Sequence, residues 1–254
     1  MFTVLPFSLA AAGVILGLAA CCLLRPPSTS GPPAGRGISH PGIALGSASA
    51  ALLLAAILLL ARGVRASDAL PALDRAVSLA VRDHARPWLT SALKVGTWLG
   101  SLAIVIPLMA IGGGLLLRRR RPLDALLLAT VTLGAAGLNA LAKLVVKRPR
   151  PDFILPLIAR PETYSFPSGH AATATAFYLS AALLATEGPD WTWGRRSTAL
   201  AAALIVTCAV GFSRIYLGVH YLGDVVAGVA LGTLWLVLCV IAAALWDARR
   251  GRAA

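Results

Sequence analysis

The chain has 254 residues, 58% hydrophobic and only 13% charged, with 23 Lys and Arg against 10 Asp and Glu. Soluble domains carry about 25% charged residues, so a water-soluble globule and a disordered chain are both excluded, and a mean hydropathy of +0.80 points the same way. A net charge of +13 can signal nucleic acid, but here the basic residues fall in short clusters between apolar runs, the pattern of loops at a membrane surface.

Apolar runs predict seven membrane spans, at about 2–24, 42–61, 97–117, 123–142, 168–186, 197–213 and 220–246. The expected fold is all-α, a polytopic transmembrane bundle of six core helices with one extra helix at the N-terminus. The first span has no basic residues ahead of it and is read as a retained helix, not a cleaved signal peptide. Residues 25–41 are rich in Pro, Gly and Ser and read as a connector. The division is therefore 1–41 for the added helix and connector, 42–246 for the core, and 247–254 for a basic cytoplasmic tail. Cys21, Cys22, Cys208 and Cys239 lie inside apolar stretches, where a thiol behaves as a small hydrophobe, which argues against a disulfide-built fold.

Residues 62–96 form the longest polar stretch. Leu70, Leu73, Val77 and Leu79 recur near helical spacing with Asp74, Arg75, Arg82 and Asp83 between them. This predicts an amphipathic helix lying in the interface, its charges in water. Trp88, Trp98, Trp191, Trp193 and Trp246 sit near span ends, where indoles favour the headgroup zone. If the spans alternate, 11 basic residues fall on one side (Arg25, Arg36, Arg118–Arg121, Arg195, Arg196, Arg249, Arg250, Arg252) and 12 on the other. The tight four-Arg turn and the three terminal Arg are placed in the cytoplasm.

The unusual residues gather in three stretches, 143–152, 164–170 and 213–224. Ionisable residues at membrane depth are expensive and functional by default. Alternating spans bring all three stretches to one face of the membrane. Lys143, Arg150 and Arg214 supply positive charge and planar forks suited to phosphate oxygens. Ser168 and Gly169 follow Pro167 and open a helix, whose free N–H groups attract an anion. His220 and Asp224 are four apart, so on a helix the carboxylate can orient the imidazole. His170 is a second histidine on that face, available as a general acid.

Lys143 to Pro151 reads K-x6-R-P, Pro167 to His170 reads P-S-G-H, and Ser213 to Asp224 reads S-R-x5-H-x3-D. Together they resemble the three-part signature of the type 2 phosphatidic acid phosphatase superfamily, with no departure at any motif position. The resemblance implies that His220 is a nucleophile forming a phosphohistidine, with Asp224 orienting it. It implies that His170 protonates the leaving oxygen and then activates water. Lys143, Arg150, Ser168, Gly169 and Arg214 would hold the phosphoryl oxygens, with no metal and no cofactor. The implied protein is a lipid phosphate or diphosphate phosphatase of a bacterial cell membrane, its site facing outward, with the bilayer and its lipid substrate as partners and no nucleic acid. Phosphatidic acid, phosphatidylglycerol phosphate and isoprenoid diphosphate all remain open as substrates, and oligomeric state is not addressed.

The same residues admit other functions. A phosphotransferase would use the same intermediate. A lipid transporter would spread charges through midspan and show inverted repeats, and a scaffold would have lost one of His170, His220 or Asp224. His220 and Asp224 alone could form a structural pair or ligate zinc, but zinc wants three or four protein ligands. Ser168 as a nucleophile lacks the surrounding G-x-S-x-G elbow. Lys147 and Arg148 are read as anchors to anionic lipid, and Asn139 as an interhelical hydrogen bond. Tyr216 and Tyr221 suit either a lipid entrance or an interface belt, and Asp152 receives no role.

Overall fold

A computed structural model describes residues 4–25, 39–66, 69–187 and 192–253. Most of the predicted connector, and Trp191, lie outside the described residues. The helices in chain order are α1 Leu5–Leu24, α2 His40–Ala66, α3 Ala69–Asp83, α4 Pro87–Gly96, α5 Leu102–Arg118, α6 Pro122–Val146, α7 Gly169–Ala185, α8 Trp193–Tyr216 and α9 Leu222–Ala253, with a 3-10 turn at Thr97–Gly100. Pro stands in the opening positions of α1, α4 and α6, where its missing N–H has no helical acceptor to lose. Thr192 caps α8 by accepting from the Arg195 amide at 3.3 Å.

The architecture is an all-α transmembrane bundle. Helices α1, α2, α6, α8 and α9 are long and apolar enough to cross a membrane, and α4 with α5 forms a sixth candidate bent by 51° at the 3-10 turn. Helix α7 has only 17 residues, a length of roughly 25 Å. It does not need to match the bilayer, because it packs among α5, α6, α8 and α9. Its face-independent run of Ala, Thr and Ser is buried on nearly every side, as expected for a central helix.

Small residues set the close approaches. A Cβ on Gly228 of α9 would stand 2.5 Å from the Ser168 carbonyl, and one on Gly232 would stand 2.6 Å from that of Ala172. This glycine pair lets α9 lie directly on α7. Ser49 of α2 donates to the Gly13 carbonyl of α1 at 2.7 Å, a buried bond worth about 0.6 kcal/mol on average between membrane helices.

Several boundaries differ from the hydropathy reading, those of α6 and α8 among them. Helix α6 runs to Val146, so Lys143 lies in its last turn and not beyond it. Hydropathy stops at the first charge, whereas the backbone continues helical because the Lys143 ammonium reaches carbonyls of the neighbouring loop. Helix α8 starts at Trp193, four residues before the predicted 197, because its cap sits at the polar edge of the span. The polar stretch holds an amphipathic helix as predicted, α3, but its buried residues are Leu70, Asp74 and Ser78. Asp74 faces inward, which corrects its placement on the water side. Trp88 and Trp193 are exposed at helix starts, Trp98 in the 3-10 turn and Trp246 about two turns before the end of α9, consistent with interface anchors.

Candidate active site

The three motif stretches converge at one end of the bundle. The first closes α6 and continues into the loop 147–168, which leads to α7. The third joins α8 to α9. Lys147 ends α6 in the left-handed region, φ 52°, and turns the chain so that Arg148 and Arg150 point back into the bundle, both buried. Gly218, at φ 74°, makes the corresponding turn between α8 and α9 without the steric cost that a side chain would bring. The Phe166–Pro167 peptide is cis. Asn139 of α6 donates to the Pro167 carbonyl at 3.2 Å, so its bond runs from a helix to the turn that opens α7 and not, as expected, between two helices.

His220 is buried between α8 and α9. Its Nδ1 lies 3.4 Å from Asp224 Oδ2 and 3.3 Å from Ser165 Oγ. Its Nε2 lies 3.2 Å from Arg150 Nη1. A guanidinium only donates, so Nε2 presents its lone pair and Nδ1 carries the proton toward Asp224. This is the tautomer that an Nε2 nucleophile requires. Burial pushes the imidazole down to about 3; Asp224 pulls it back up and is outweighed, with Arg150 and Arg214 adding to the fall. The ring is therefore neutral at ordinary pH.

Asp224 is saturated with donors. Oδ2 accepts from Ser165 Oγ and, at 3.0 Å, from the Tyr221 amide, while Oδ1 accepts from Arg148 Nη1 at 2.7 Å. Arg150 is fixed by the Thr163 carbonyl at 2.8 Å and the Val219 carbonyl at 2.7 Å. Lys143 donates to the carbonyls of Tyr164 and Ser165. His170 stands in the first turn of α7, within electrostatic reach of His220, Arg214, Arg150 and Lys143.

Within this cluster two buried polar atoms have no partner among the described residues, Ser168 Oγ and Arg214 Nε. Arg214 uses Nη1 on Thr97 Oγ1, 2.7 Å away. Ser168 donates its amide to the Asp224 carbonyl at 2.9 Å and leaves its hydroxyl free. The amides that follow it, at the start of α7, have no helical acceptor. A buried polar atom left unpaired costs about 1–3 kcal/mol, so both atoms and the helix start suit a bound anion.

Every residue selected from the sequence motifs thus lies in one cluster. Sequence reasoning misassigned Arg148 and Tyr216, both of them buried. Arg148 is buried, pairs with Asp74 and Asp224 at 2.7 Å each, and lies 3.9 Å above the Tyr221 ring, so it does not anchor lipid. Tyr216 binds Arg86 and Thr90 through its hydroxyl, tying α4 to α8 instead of lining an entrance. Lys147 and Asp152 are exposed. Ser165 and Asp74 were missed. The available signal for Asp74 was its i, i+4 spacing between Leu70 and Ser78 on the buried stripe.

A sequence model described as the PAP2 superfamily matches residues 124–247. Phosphatidylglycerophosphatase B of Bacillus subtilis is 33% identical over 172 residues, covering 68% of this chain and 84% of that protein. Decaprenylphosphoryl-5-phosphoribose phosphatase of Mycobacterium tuberculosis is 35% identical over 151 residues, covering 58% of this chain and 76% of that one. The crystal structure of a transmembrane PAP2 type phosphatidylglycerolphosphate phosphatase from Bacillus subtilis superposes with a TM-score of 0.70 and 32% identity, over 75% of this chain and 93% of the other. With its three motifs assembled at one end of a membrane bundle, the chain belongs to the PAP2 superfamily, among the membrane-spanning lipid phosphatases.

Proposed function

We propose that the protein removes a phosphate from a lipid phosphomonoester or diphosphate through a phosphohistidine on His220, with its site at the outer face of a bacterial cell membrane. The observation that carries this reading is the His220 Nε2 lone pair, buried beside two unpartnered donors, Ser168 Oγ and Arg214 Nε. Phosphoryl transfer needs mainly positioning and electrostatic stabilisation, and the cluster supplies both. Lys143, Arg150, Arg214, Ser168 and the Gly169 end of α7 hold the three phosphoryl oxygens. Nε2 attacks phosphorus, the bond to the leaving oxygen breaks, and His170 gives that oxygen a proton. Asp224 accepts the Nδ1 proton's hydrogen bond and stabilises the cationic ring. His170, now basic, takes a proton from water, whose oxygen attacks phosphorus and frees His220.

The substrate class is supported by the relatives, whose names refer to phosphatidylglycerol phosphate and to a decaprenyl-linked sugar phosphate. Both are lipids whose phosphate reaches water while the tail stays in the bilayer. We also propose the division into an added helix, α1, and a core from 42 to 246. The related crystal structure, matched nearly end to end, covers three quarters of this chain, which supports that division.

The test is phosphate release by detergent-purified protein on phosphatidic acid, phosphatidylglycerol phosphate and an isoprenoid diphosphate, in excess EDTA and beside His220→Ala. Release that survives EDTA and vanishes in the variant is the expected result. Release lost to EDTA, or equal in the variant, overturns the metal-free histidine route. Phosphate appearing on an added alcohol instead of in solution would identify the transferase.

A further inference from the structure

Asp74 is among the buried charges that have no part in the scheme above. Asp74 is fully buried on α3, outside all three motif stretches and some 70 residues or more from them in sequence. Its Oδ2 accepts from Arg148 Nη2 at 2.7 Å, and its Oδ1 accepts from the Gly223 amide at 2.9 Å. The other arm of the same guanidinium, Nη1, donates to Asp224 Oδ1 at 2.7 Å. Asp74 thus holds the segment that carries His220 and Asp224 directly through one oxygen and by way of Arg148 through the other.

We propose that Asp74 is a positioning residue for the phosphoryl transfer, acting through Arg148 to hold Asp224 in place and to keep it an effective negative partner for His220. The inference rests on the His220 reading and deepens it.

Arg148 alone against Asp224 would form a neutral pair, and a carboxylate so neutralised is a weaker acceptor for the Nδ1–H of His220. Asp74 brings the second negative charge. The triad Asp74–Arg148–Asp224 then has a net charge of −1, set directly behind a ring that becomes cationic when Nε2 bonds to phosphorus. That negative charge is needed most in the transition state, because the other ionisable groups facing His220 are Arg150 from the loop and Arg214 from α8, with His170 from α7, which itself faces Lys143 of α6. Geometrically, a planar guanidinium with one arm on each carboxylate fixes both. The Tyr221 ring 3.9 Å beneath it and the Arg148 carbonyl, which accepts from the Ser165 amide at 2.8 Å, remove its remaining freedom. Ser165 is the residue whose hydroxyl binds the other oxygen of Asp224. A purely structural pair between α3 and the loop would need only Asp74 and Arg148, with neither Asp224 nor the Gly223 amide involved.

The test uses the full-length enzyme in detergent with a lipid phosphate that the wild type hydrolyses. Asp74→Asn keeps the shape and removes the charge, and is expected to lower kcat about tenfold to a hundredfold, the range of coupling between groups in one network. KM and the inhibition constant of inorganic phosphate should stay within about twofold, because the phosphate cradle is untouched. Asp74→Glu should recover most of kcat. In an Arg148→Met background, Asp74→Asn should cost nothing further, since the residue through which it acts is gone. The proposal is overturned by an Asp74→Asn enzyme with wild-type kcat. It is also overturned if KM and phosphate inhibition worsen with kcat as folded protein is lost, or if the same loss recurs in the Arg148→Met background. A wild-type enzyme that releases no phosphate, or a His220→Ala enzyme equal to wild type, removes the underlying chemistry and this inference with it.

Discussion

A hydroxyl buried without a protein partner is a cost to the fold, and Ser168 carries one at the start of α7. Removing it should therefore separate function from stability. Ser168→Ala is expected to lower kcat/KM by roughly a hundredfold, the effect of deleting one donor to a developing anion. The unfolding midpoint in detergent should hold or rise, because no intramolecular bond is lost. A variant that loses stability and keeps its activity would show that the hydroxyl serves packing instead. At this scale, the residues of the three motifs were legible in the sequence because their chemistry is local: a cation seven residues before another, a serine after a proline, a histidine one turn before a carboxylate. Arg148 and Asp74 were not. A charge beside a helix end reads as a lipid anchor, and only the atoms opposite it, supplied by α3 and α9, turn it into a buried bridge.

Among the elements, α7 and α9 define the site and α1 braces the opposite end. Arg25, just past α1, pairs with Asp124 of α6 at 2.5 Å and with Glu187 beyond α7 at 2.8 Å, while Arg121 pairs with the same two acids. Fully buried Arg196 of α8 donates to the Arg25 carbonyl. These side chains are 13–22% exposed, so their pairing is only partly screened. Arg25→Gln is expected to destabilise the protein by at least about 1 kcal/mol. The loss should stay below the roughly 3–5 kcal/mol of an orphaned buried pair, because Arg121 still bridges both acids. Denaturation in detergent measures it, and the kcat of the folded enzyme should remain within about twofold of wild type, since the cluster lies at the far end from His220. A large loss of kcat without loss of stability would contradict the brace. Hydropathy found these helices because each carries a long apolar run. It missed that α6 continues past Lys143 and that α3 buries a carboxylate, because both depend on partners that a single helix does not contain.

At the scale of the molecule, the two ends differ in charge and in task. One gathers Lys143, Arg148, Arg150 and Arg214 around the two histidines, and the other gathers Arg25, Arg121, Arg196 and the Arg118–Arg120 turn. The second end is the one proposed to face the cytoplasm, as basic turns favour. Ser39→Cys and Ser197→Cys, both at that end, should then resist a membrane-impermeant thiol reagent applied to intact cells and react once the cells are opened. Labelling of either from outside would reverse the orientation and place the catalytic end within the cytoplasm. By itself the sequence determined that the chain lives in a membrane, where its apolar runs recur, and which histidines, cations and serine are proposed for the chemistry. Those properties are local, set by composition along a helix and by spacing within a turn. Only the tertiary structure decided that α7 is central, that Nε2 of His220 presents its lone pair toward Arg150, and that Asp74 and Arg148 stand behind Asp224. The energy of a buried charge depends on what faces it across the bundle, and that partner lies tens of residues away along the chain.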